Sequence, residues 1–69
     1  MRYGDHAKQF MTEQAHQLTE EAVEYAFVHG EIIATDPDDN TVTEGSDASG
    51  RPFRITVSPD QVILLVRPM

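Results

Sequence analysis

The stretch PFRITVSPDQVILLVRP, residues 52–68, constrains the fold more than any other part of the chain. Two runs rich in β-branched residues stand on either side of Pro59-Asp60, and Pro at the first central position suits a tight type I turn. An antiparallel hairpin follows. If Ser58 faces Gln61, the opposed pairs are Val57 with Val62, Ile55 with Leu64, and Phe53 with Val66, all on one face. That face is wholly apolar and must be covered. The opposite face carries Arg54, Thr56, Ile63, Leu65 and Arg67, so the reading leaves Ile63 and Leu65 without intramolecular cover, either as a self-association surface or as two isolated surface aliphatics of no consequence.

The cover comes from two helices upstream. The first is predicted from about Asp5 to Gln17, with Asp5 as N-cap and Ala7, Phe10, Met11, Ala15 and Leu18 recurring at three- and four-residue spacing. The second opens at Thr19, whose hydroxyl can cap it, with Glu20 and Glu21 at the positive end of its dipole. Leu18 and Val23 make a hydrophobic staple across this start, and Ala22, Val23, Ala26 and Phe27 form the buried face. His29 and Gly30 end it, the glycine supplying the left-handed residue that a helix C-terminus often requires.

After Gly30 the period changes from helical to two. EIIATD reads as a strand, PDDN as a turn, TVTEGSD as a weaker strand and ASGR as a second turn. The stretch ATDPDDNTVTEGSD also matches part of a calcium loop, with Asp36, Asp38 and Asn40 at positions one, three and five. Thr41 stands where that loop needs Gly, Asp47 replaces the final bidentate Glu, and flanking helices are absent, so a hairpin turn is expected. No internal repeat, low-complexity tract or linker is visible. The sum is one α+β domain over residues 1–69: two N-terminal helices on a three- to four-stranded antiparallel meander.

Sixty-nine residues bury only about 60% of their surface on folding, and no cysteine is present to add a disulfide or a thiolate zinc site. The longest uninterrupted apolar run, Val62–Val66, is far short of the ~20 residues of a membrane span. No membrane partner is expected, and a cytoplasmic location fits the absence of cysteine and of a signal peptide. Five basic against twelve acidic residues give a formal charge of -7, which opposes broad attachment to nucleic acid or anionic membranes; it accommodates a basic partner more easily, or simply keeps a small protein soluble.

The order DHAKQFM, LTEEAVEYAFVHGEII, acidic turn, GRPFRITVSPDQVILLVRP resembles a family of small bacterial domains without assigned activity. Its pattern has a His-Ala helix, a second helix opening with Thr or Ser and acids and ending His-Gly, and Gly-Arg-Pro leading into an apolar hairpin. That family is similar to the RelE/ParE toxin superfamily, and the resemblance runs from His6 to Pro68. It implies two N-terminal helices on an antiparallel sheet and, for a RelE-like member, cleavage of messenger RNA on the ribosome. Arg51, Arg54 and Arg67 fall in the corresponding hairpin, with His6 at the His-Ala position. The chain departs from the pattern in its first helix, where relatives carry arginines and this sequence has Phe10 and Gln14.

Metal-free RNA cleavage needs a base, an acid and cations around the phosphorane. Arg54 and Arg67, diagonal on one face of the hairpin, can hold one phosphate, or they can simply keep a sheet surface soluble. His6 and His16 are ten residues apart, about 280° of helical rotation, so they do not share a face, and no metal or cofactor is expected. The serines Ser46, Ser49 and Ser58 lie in turn contexts and lack a nucleophile elbow. Glu20, Glu21 and Glu24 form an acidic helix face able to meet a basic partner, or merely a solvated one. Three functions remain in order: a non-catalytic or degenerate RelE/ParE-like interaction module that self-associates through the sheet; an mRNA endoribonuclease using His6, Arg51, Arg54 and Arg67, the one case that implies RNA; and an acidic inhibitor of a basic partner.

Overall fold

The computed structural model describes residues 1–13 and 18–69, in the order β1 (Arg2–Tyr3), α1 (Asp5–Thr12), α2 (Glu20–Val28), β2 (Glu31–Thr35), β3 (Thr41–Ser46), β4 (Pro52–Val57) and β5 (Val62–Pro68). Three turns of one design make the β2–β5 meander. In each, a residue with a side-chain acceptor donates its N–H to a carbonyl four residues on: Asp36 to Asn40 (2.9 Å), Asp47 to Arg51 (2.9 Å), Ser58 to Val62 (2.9 Å). The residue before the closing one is left-handed, at Asp39 (φ 64°), Gly50 (φ 89°) and Gln61 (φ 68°). Side-chain oxygens then hold the loops: Asp36 Oδ1 accepts from Asn40 N, Asp47 Oδ1 from Arg51 N, and Ser58 Oγ from Val62 N. The unit recurs every eleven residues, a repeat of geometry that residue identities do not display.

These five-residue loops change the register expected for the last hairpin. Ser58 closes on Val62, not Gln61, so Val57 pairs with Ile63; Leu64 is then inserted as a bulge, and Thr56 pairs with Leu65, Ile55 with Val66, Arg54 with Arg67 and Phe53 with Pro68. The first of these single-residue shifts turns Ile63 inward, and the second returns Leu65 and Arg67 to the open face. Ile63 is fully buried, which corrects its assignment to the uncovered face.

The sheet has five strands in the order β1-β5-β4-β3-β2, and β1 runs parallel to β5, so it is mixed where a three- or four-stranded antiparallel meander was expected. Two residues are too few to show a period, which is why β1 is silent in the sequence. One face lies under the helices. Phe53, Ile55, Val57, Ile63 and Val66 meet Ala7 and Met11 of α1, Leu18, and Val23 and Ala26 of α2.

The helix ends follow local chemistry with three corrections. Thr19 accepts the Ala22 N–H at 3.1 Å, as a cap should, and Leu18 and Val23 are both buried. The N-cap of α1, however, is Gly4, with Asp5 inside the first turn, and α1 ends at Thr12, short of Gln17. Ala15 and His16, placed on the first helix by their spacing, lie outside the described residues. Gly30 is not left-handed. It is small because a Cβ there would stand 2.6 Å from both the Ala26 and the Glu44 carbonyl oxygens, and at Gly45 a Cβ would overlap the Ala26 carbonyl. Helix α2 thus rests on the β3 backbone.

Candidate functional site

The residues proposed for RNA cleavage are dispersed. Arg54 and Arg67 are direct cross-strand partners, not diagonal ones, and their positions alternate with buried Phe53, Ile55 and Val66, so they occupy the face away from the helices. Arg54 Nη2 donates to Glu44 Oε2 at 2.8 Å. Arg51 sits in the β3–β4 turn with its guanidinium over the Phe53 ring, 5.2 Å from the centroid. His6 is exposed on α1, which packs on the other side of β5. The structure brings two of the four residues together and separates them from any general base in this set.

Four strands contribute two parallel rows to the open face. One runs Glu31–Glu44–Arg54–Arg67 from β2 to β5, and its neighbour runs Ala34–Val42–Thr56–Leu65. Leu65 is half-buried by its neighbours, so of the two aliphatic residues expected on this face it alone remains. Two shallow clefts flank the charged row. One, of about 290 Å³, is lined by Arg54, Arg67, Pro68 and Met69; the other, of about 280 Å³, includes Glu31, Glu44, Gly45 and Ser46.

At the edge of the sheet, every residue of β2 is exposed. Ile32 is 66% and Ile33 47% exposed, and Val28 at the end of α2 is 71% exposed. Helix α2 packs on β3 and β4 and leaves β2 projecting beyond the helical layer. The edge carries no Lys or Pro to discourage pairing, though a bulge lies between Ile32 and Ala34.

The acidic groups divide by environment. Glu20 and Glu21 are exposed on α2, but Glu24 accepts the Tyr3 hydroxyl at 2.6 Å and lies 4.0 Å from the Met1 amino group, so it fastens β1 to α2 rather than facing solvent freely. Burial, reinforced by Glu24, pushes the Tyr3 phenol well above its ordinary range. In the acidic loop, Asp36 Oδ1 accepts from Asp38 N and Asn40 N, and Oδ2 from Asn40 Nδ2. Those bonds, that of Asn40 Nδ2 first, hold the Asp36 carboxyl below its usual value; the Ser49 hydroxyl and backbone donors do the same for Asp47. Asp36 and Asp47, the first and last carboxylates of the calcium-like stretch, therefore serve their own turns. Among the described residues, no three His, Asp or Glu are grouped to hold a metal.

Sequence reasoning missed the β2 edge and the ordered charge row. Adjacent Ile32 and Ile33 were the available signal for the edge, since strict alternation would bury only one of them. No helix among the described residues is long and apolar enough to cross a membrane. The chain matches no family model, and no curated protein or solved structure matches it.

Proposed function

We propose that the chain is a non-catalytic RelE/ParE-like interaction module that takes up an extended segment of a partner protein along β2. The exposed β2 edge is the observation that carries this reading, because a terminal strand offers unpaired backbone donors and acceptors beside apolar side chains. The segment it fits is apolar and basic. Ile32, Ile33 and Val28 provide the contact, while Glu31 and the turn acids Asp36, Asp38 and Asp39 favour positive charge at either end.

A synthetic peptide alternating valine with lysine tests the docking. In an NMR titration the Glu31–Thr35 amides shift, and Ile33→Lys abolishes the response; an unchanged β2 removes the proposal. A footprint confined to Glu20 and Glu21 would move the contact to α2 and favour the acidic inhibitor. Induced expression tests catalysis separately, with no growth arrest and no cleavage of ribosome-bound message expected. Arrest reversed by Arg54→Ala or Arg67→Ala would replace the module with the ribonuclease.

A further inference from the structure

The open face places like charges side by side within the chain. Glu31 is opposite Glu44 and Arg54 opposite Arg67, two arrangements that disfavour an isolated sheet, and among the described residues only the central Glu44–Arg54 contact offsets them. Among the described residues, Glu31 and Arg67 at the ends of the row have no ion-pair partner. Read from β2 to β5 the row is minus, minus, plus, plus. It is antisymmetric about the line between β3 and β4, as a two-fold contact with an identical row requires.

We propose that a second copy of this chain packs on the open face, related by a two-fold axis lying along the strands between the sheets. That operation reverses strand order and leaves each row over its own equivalent. Glu31 then faces Arg67 of the other copy, and Glu44 faces Arg54. In the neighbouring row small lies over large, with Ala34 against Leu65 and Val42 against Thr56. A two-fold across the strands would instead set the charged row on the aliphatic one, so charge selects the axis. The acidic and basic clefts are exchanged by the same operation, each meeting its opposite.

The size of the face sets the strength. Four strands at ~4.8 Å and five residues at ~3.3 Å give about 320 Å² a side, below the roughly 800 Å² per partner of a stable interface. Association is therefore reversible and concentration-dependent. The unpaired backbone edge of β2 lies to the side of this face and stays open to a strand, although Glu31 borders both surfaces.

Sedimentation equilibrium with charge reversals tests the arrangement. The wild type self-associates, and Arg67→Glu or Glu31→Arg alone weakens it by about tenfold or more, since each places two like pairs across the interface. Mixing the two variants restores association to about the wild-type level, because every facing pair is then complementary. Loss of fold cannot imitate this result: each reversal relieves a like-charge contact within the sheet, and melting temperatures stay level or rise. A wild type that is monomeric up to about 1 mM, single variants that associate like wild type, or a mixture that stays monomeric overturns the proposal. So does association lost in Ile33→Lys but retained in both reversals, which would locate the contact at the edge; docking of a strand peptide at β2 is unaffected by any of these outcomes.

Discussion

Two neighbouring positions on β3 show how differently single atoms weigh on this fold. Thr43 is 1% exposed, and its hydroxyl is buried without a hydrogen-bond partner, while its methyl faces Gly30 beneath α2. Thr43→Val keeps the shape and removes an unpaired polar group, so stability rises by about 1 kcal/mol. Gly45→Ala drives a methyl into the Ala26 carbonyl and lowers stability by about 3 kcal/mol. Urea unfolding of both variants checks the pair; a fall with Thr43→Val would mean that the hydroxyl is satisfied after all. Some residue roles were legible in the sequence because they need only neighbours in the chain. Thr19 as a cap depends on Ala22 three residues away, and Leu18 and Val23, flanking the same helix start, are buried in one cluster. The contact at Gly45 depends on a helix docked from elsewhere, and in sequence it looks only like a weak point in a strand.

Among the elements, the loops rather than the strands decide which residues face the core. All three turns were recognisable from Pro, Asp, Ser and Gly, but their length was not, and one additional residue in a turn reverses the strand that follows. The second shift, at Leu64, lies inside an apolar run where nothing local distinguishes Ile63 from Leu65. The candidate surface was therefore half legible. Arg54, Leu65 and Arg67 share a face as expected, whereas the charge order across β2 to β5 exists only once every register is fixed. The common turn geometry also yields a paired prediction. Gln61 occupies the left-handed position that Gly50 fills in the preceding turn, so Gln61→Gly raises stability by about 1 kcal/mol and Gly50→Ala lowers it by about as much. Thermal unfolding measures both. Equal effects of the same sign would show that the loops do not share this constraint.

For the molecule as a whole, the same polar contacts bound the pH range of stability. Asp36 and Asp47 have folded pKa values below their unfolded ones, so their contribution is present above the ordinary carboxylate value and is lost as pH falls through the lowered folded value. Both are half-exposed in surface turns, and the effect is modest. Tyr3 has the opposite sign: its folded pKa is raised, so its contribution is complete below the ordinary phenol value near 10 and disappears as pH rises beyond it. Wild-type melting temperature falls above about pH 10, and Tyr3→Phe flattens that limb while losing some stability at neutral pH. A fall of equal steepness in the variant would assign alkaline unfolding to other groups. The strand that Tyr3 secures also dictates an order of assembly. Each pair in the β2–β5 meander closes over a five-residue loop and can zip quickly from its own turn, but β1 meets Val62 and Ile63 only after the ends of a sixty-residue loop have come together. On a ribosome, Arg2 and Tyr3 emerge ahead of the other four strands and are seated last, leaving the β5 edge open until the rest of the sheet has formed.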